Sequence, residues 1–164
     1  MKKLKLPKID LKNIIPFQGM KNGASCRGTV GISEDMGNKP YAFSVCDAAY
    51  RNNDYRRALW TGKSLQLTVM AIPSGEDTGV EMHEGFDQQI RVEEGSALIE
   101  MGRMPGAMSY KEKLSPCFCA IIPAGTYHII RNVGGGILRL SSVYAPPAHK
   151  WGTVDKTNPE KDKM

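Results

Sequence analysis

Residues 81–95 read EMHEGFDQQIRVEEG. Glu81 and His83 share one parity, so on an extended strand both side chains project from the same face while Met82 projects from the other. Two potential metal ligands therefore converge just before a break at Gly85. Beyond the break, Gln88, Ile90 and Val92 alternate with Gln89, Arg91 and Glu93, the pattern of a half-buried strand with its polar residues outward. Gln88 falls on the inward parity and Arg91 on the outward one. SALIEMG follows across Glu94 and Gly95 as the partner of a hairpin.

The flanking sequence has the same character. In SLQLTVMAI (64–72), Leu65, Leu67, Val69 and Ala71 occupy one face and Gln66, Thr68 and Met70 the other, and the strand stops at the turn signal PSGED. Downstream, CFCAII, the PAGTYH turn, IIRNV and ILRLSSVYA continue the run, with a longer loop over 103–116. Strands this short and this evenly spaced predict an all-β sandwich or barrel. YAFSV (41–45) reads as a short edge strand, and no long helix or repeat is visible. The expected organisation is an N-terminal arm with loops over 1–57, a barrel over 58–145 and an irregular tail over 146–164 that wraps the outside, leaving His149 exposed.

Bulk properties narrow the function. A chain of 164 residues that is 41% hydrophobic and 24% charged has room for one real core. The formal charge of +5 is concentrated near the ends, in Lys2, Lys3, Lys5, Lys8 and Lys12 and in Lys161 and Lys163. Without a basic patch interleaved with aromatics, that excess reads as solvated tails and excludes nucleic acid as a partner. No stretch approaches the roughly 18 apolar residues of a membrane span, and no signal-peptide pattern follows the basic start. The expectation is a cytoplasmic protein whose four cysteines are free thiols, since Cys117 and Cys119 lack the CxxC spacing of redox or zinc sites.

A second motif, IIPAGTYHIIRN (121–132), places Pro123 and Gly125 in a tight turn that delivers His128 to a strand, where His128, Ile130 and Asn132 share a parity. Together with Gly75, Glu81, His83, Gln88 and Gly95, these residues resemble the two signature motifs of the cupin superfamily, in spacing at nearly every point. The combination RRALWTGKSLQLTVM, DQQIRVEEG, PAGTYH and YAPPAHKWGTV is similar to small bacterial cupins described as related to mannose-6-phosphate isomerase. The resemblance covers about residues 58–145 and departs from the pattern at three places. Glu81 stands where the first histidine is usual, Gln88 where the glutamate is usual, and Cys117 where the second motif begins with glycine. Asp155 also replaces a histidine that the narrower group carries after GTV.

The resemblance implies a double-stranded β-helix, the cupin jelly-roll barrel, holding one divalent metal ion through Glu81, His83, Gln88 and His128. Two imidazoles with carboxylate and amide oxygens suit Mn, Fe, Co, Ni or Zn. Asp87 reads as a turn residue or a partner orienting a histidine ring. Gln66, Tyr127 and Tyr144 are candidates for lining a substrate pocket, and Glu81 is the nominal catalytic base where it does not ligate. Three functions follow in order: an isomerase-like enzyme acting on a small sugar or keto or hydroxy acid, an Fe(II)-dependent dioxygenase using two histidines and one carboxylate, and a non-enzymatic small-ligand-binding module. With no arginine or lysine cluster facing the pocket, a phosphorylated ligand is disfavoured. A homodimer is implied, with the arm a candidate for pairing between subunits.

Overall fold

A computed structural model describes residues 34–159. The basic arm, Cys26, Lys161 and Lys163 lie outside the described residues. One short helix, α1 (Val45–Arg51), precedes nine strands: β1 (Arg56–Thr61), β2 (Gln66–Ile72), β3 (Asp87–Glu94), β4 (Ala97–Gly102), β5 (Tyr110–Leu114), β6 (Cys119–Ile122), β7 (Tyr127–Asn132), β8 (Leu138–Ala145) and β9 (Val154–Asp155). Two sheets result, ordered β6-β3-β8-β2-β1-β9 and β5-β4-β7, with every pairing antiparallel. This is the all-β architecture that the strand pattern predicts, in the jelly-roll form that the resemblance implies. No helix of the described residues is long and apolar enough to cross a membrane.

The register of the large sheet explains why polar residues point inward. Gln66 and Gln88 both flank Tyr144, Thr68 and Ile90 flank Ser142, and Met70 and Val92 flank Leu140. Along the same strands the inner face therefore passes from polar layers at one end to apolar layers at the other. Ile72, Ile90, Val92, Ile99, Ile130, Leu138 and Leu140 form the fully buried body of the core at the apolar end. Burying each such side chain is worth roughly 1.5–3 kcal/mol, which offsets the unsatisfied polar atoms described below.

The apolar stripe of β2 does not face the barrel interior: Leu65 is 41% exposed, and Val69 packs outside the sheet with Leu59, Ala48, Ala49 and Phe43. Its polar parity, Gln66, Thr68 and Met70, is the buried inner face. Nor does YAFSV form an edge strand, because Ser44 caps α1, its hydroxyl accepting from the Asp47 amide, and Val45 becomes the first helical residue. Arg139 of β8 fastens the helix by donating to the carbonyls of Ala49 and Asn52. Cys117 and Cys119 are free but exposed, whereas Cys46 is disulfide-bonded rather than a free thiol.

The tail does more than wrap the outside. Asp155 and Val154 pair with Arg56 and Arg57 of β1, adding a sixth strand. Gln66, fully buried, accepts from the amides of Ala148 and His149 and donates to the His149 carbonyl and to Thr61 Oγ1. Three of the four hydrogen bonds of that amide hold the tail against the mouth of the barrel, and the fourth ties it to β1.

Candidate metal centre

Glu81 and His83 do not lie on a regular strand. Residues 76–83 run antiparallel beside β7, with bridges of Asp77 to Arg131 and Glu81 to His128. Between the two bridges Gly79 has φ +77°, a left-handed conformation that glycine adopts without penalty, and Thr78 substitutes its hydroxyl as acceptor for the Ile130 amide. Beyond this bulge the Glu81 and His128 backbones exchange both hydrogen bonds at 2.9 Å. A carboxylate and an imidazole thus start from opposed positions on adjacent strands.

The turn after β6 completes the arrangement. Gly125 has φ +77° at the third position of the turn, which Thr126 closes by donating to the Pro123 carbonyl. The Gly125 amide donates to the His83 carbonyl at 2.8 Å, and the Ala124 amide donates to Asp87 Oδ1 at 2.9 Å. Asp87 therefore anchors the turn rather than an imidazole ring. The turn in turn orients His128, whose Nδ1 lies 3.1 Å from the Thr126 carbonyl oxygen. A carbonyl can only accept, so the proton is on Nδ1 and the lone pair is on Nε2.

That lone pair is buried and has no hydrogen-bond partner. Glu81 Oε2 lies 3.7 Å from His128 Nε2 and 4.0 Å from His83 Nε2, and the donor atoms of all three residues lie within 4.8 Å of one another. Three donors converging without hydrogen-bonding one another fit a metal ion between them. Burial lowers the pKa of His128. Burial, followed by the charges of His128 and Arg56, lowers that of His83 to about 4. Both rings are neutral near pH 7, the state a metal requires. His83 stacks on Phe86 at 4.5 Å, and Phe86 meets the edge of Tyr144 at 5.7 Å, which fixes the ring plane of the more exposed histidine.

No protein-family model matches the chain. The uncharacterised protein YrkC of Bacillus subtilis (strain 168) is 39% identical over 126 residues, covering 77% of this chain and 68% of YrkC. The crystal structure of BH2720 from Bacillus halodurans matches with a TM-score of 0.77 at 43% identity, over 80% of this chain and 99% of that one. In fold alone, the cupin domain of Schizosaccharomyces pombe Cnp3 matches with a TM-score of 0.51 at 18% identity, over 58% of this chain and 64% of that one. The chain belongs to the same family as YrkC, and its fold is the cupin fold.

In this cupin fold, the predicted residues Glu81, His83 and His128 meet as a group able to hold a metal. Gln88 is buried on the same inner face; its Nε2 donates to Ser142 Oγ at 2.9 Å, and its Oε1 is buried without a partner. Tyr144 is buried beside Phe86 and His149, and burial raises its pKa. Gln66 is committed to the tail. Tyr127 precedes His128 on β7 and so takes the opposite face of the strand, away from the three donors.

Two residues escaped the sequence reading. Arg56, 5% exposed, donates to Asp155 at 2.9 Å and places Nη2 3.8 Å from Glu81 Oε1, so an arginine does face the site. A doublet of arginines at a strand head, Arg56 and Arg57, puts one on each face, and that signal was available. His149 is not exposed: it meets Tyr144 edge-on at 5.1 Å, its Nε2 is buried without a partner, and burial and the Arg56 charge lower its pKa to about 4. Nothing local marks it, because Gln66, far off in sequence, holds its backbone.

Proposed function

We propose that the protein is a metal-dependent cupin in which Glu81, His83 and His128 hold one divalent ion of the Mn, Fe, Co, Ni or Zn type, with Gln88 Oε1 as a fourth donor. The observation that carries this reading is the buried, unpartnered Nε2 of His128 facing Glu81 and His83. Glu81 serves as ligand rather than base, since one carboxylate oxygen faces both imidazoles while the other faces Arg56. When bound, such an ion supplies Lewis-acid polarisation of a substrate carbonyl or hydroxyl. The protein's own part is to fix the donors. Thr126 sets the His128 tautomer, Phe86 holds the His83 ring, and the aromatic wall of Phe86 and Tyr144 reduces water access.

The reaction class that fits is isomerase-like proton transfer on a small hydroxy or keto compound. The protein would act as a homodimer, a reading supported by the edge position of β6 and the 59% exposure of both Phe118 and Ile121. The set of two histidines and one carboxylate favours a second reading, an Fe(II)-dependent oxygenase. Elemental analysis of untagged protein tests the centre. Solvent deuterium incorporation into a keto acid, against oxygen consumption by the Fe(II)-loaded protein, separates the two reactions. Less than about 0.1 equivalent of any of these metals after reconstitution overturns the proposal.

A further inference from the structure

The deepest charge beside the three donors is the guanidinium of Arg56, and its surroundings point to a ligand. Arg56 is shared by two carboxylates, Asp155 at 2.9 Å and Glu81 at 3.8 Å, while its buried Nε has no partner. The neighbouring Tyr55, whose ring lies 5.2 Å from the guanidinium, also buries a hydroxyl without a partner. Buried donors left unpaired in this way are costly unless something else satisfies them. With the imidazoles neutral and a divalent ion against Glu81, the balance of Arg56 and Asp155 leaves one net positive charge in the partly buried site. A neutral ligand leaves that charge uncompensated, and a phosphate dianion overshoots it. A monocarboxylate cancels it, and a guanidinium matches a carboxylate in shape as well as charge.

We propose that Arg56 reads a carboxylate, so that the ligand of this site is a small monocarboxylate carrying an adjacent hydroxyl or keto oxygen that reaches the three-donor centre. The inference rests on the metal reading above and adds the substrate class to it. Asp155 of β9 acts as a positioning residue, aligning the guanidinium through its 2.9 Å hydrogen bond. Without the ion the same groups sum to a net negative charge, so carboxylate binding depends on metal.

The test is isothermal titration of the protein, loaded with whichever of Mn, Co, Ni or Zn binds most tightly, with pyruvate, lactate, hydroxyacetone and inorganic phosphate. Hydroxyacetone shares the three-carbon skeleton of lactate and pyruvate but lacks the carboxylate. The expected result is that pyruvate or lactate binds at least about tenfold more tightly than hydroxyacetone or phosphate, and only to the metal-loaded protein. Arg56→Gln should weaken the carboxylates by about tenfold or more while the metal affinity stays within about threefold. Equal binding of hydroxyacetone, preference for phosphate, or no carboxylate binding to loaded protein overturns the inference and leaves the metal centre standing. A chain that takes up none of the ions overturns both. The comparison among probes needs no variant, so it stands even where Arg56→Gln fails to fold.

Discussion

Acidification of the metal-free protein between pH 7.5 and 5 should weaken the fold through its histidines. His83 and His149 have pKa values lowered from 6.5 to about 4, in each case by burial first. Between those values the unfolded chain binds a proton that the folded chain does not. Stability is therefore complete above pH 6.5 and falls as the pH drops toward 4. Integrated to pH 5, a shift of that size costs about 2 kcal/mol per histidine. The His83 side chain keeps 24% of its exposure, and His149 is only partly buried, so solvent screening reduces each to about 1 kcal/mol. The summed loss of about 2 kcal/mol corresponds to a fall of about 1 M in the urea midpoint at an ordinary slope. Trp60 and Trp151 provide the fluorescence signal. Asp54 and Glu100, whose pKa values are lowered by their ion-pair partners, lose their contributions only below this window. His149→Gln should remove about 1 kcal/mol of the dependence, leaving the parts carried by His83 and by His128, whose pKa burial also lowers. A midpoint unchanged or rising from pH 7.5 to 5, or a His149→Gln variant with the full wild-type slope, would refute the burial argument.

Other outcomes follow from the same geometry. His128→Ala should abolish stoichiometric metal uptake by elemental analysis, while Asp87→Ala should weaken it about tenfold by freeing the turn that orients His128. Gln66→Leu should cost about 2 kcal/mol in urea unfolding and expose the 146–155 tail to protease, since four hydrogen bonds disappear from a fully buried position. Ile90→Ala, in the core and outside the site, should cost about 2–4 kcal/mol in the same assay with metal affinity retained.

What the sequence revealed depended on how local each signal was. The alternation of Gln88, Ile90 and Val92 needs only period two, and β3 carries it inward as read. The Pro123 to His128 turn is equally local. In β2 the rule that apolar means inside failed, because the polar end of the barrel reverses it: Gln66 and Thr68 face inward, while Leu65 is exposed and Val69 lies beneath α1. The helix was misread because aromatic residues before Ser44 suggested a strand, although Ser44 followed three residues later by Asp47 is a recognisable N-terminal cap. Arg56 and His149 owe their places to Asp155 and Gln66, partners 99 and 83 residues away, and no window along the chain joins them.

The change from polar to apolar layers along β2, β3 and β8 means that one set of strands has two independent halves. Replacing the rungs occupied by Thr68, Ser142 or Tyr144 would alter the shape and polarity offered to a guest, while the ladders that fix those rungs continue unbroken into the greasy half below. A barrel divided in this way can change its guests over evolutionary time without having to relearn how to fold.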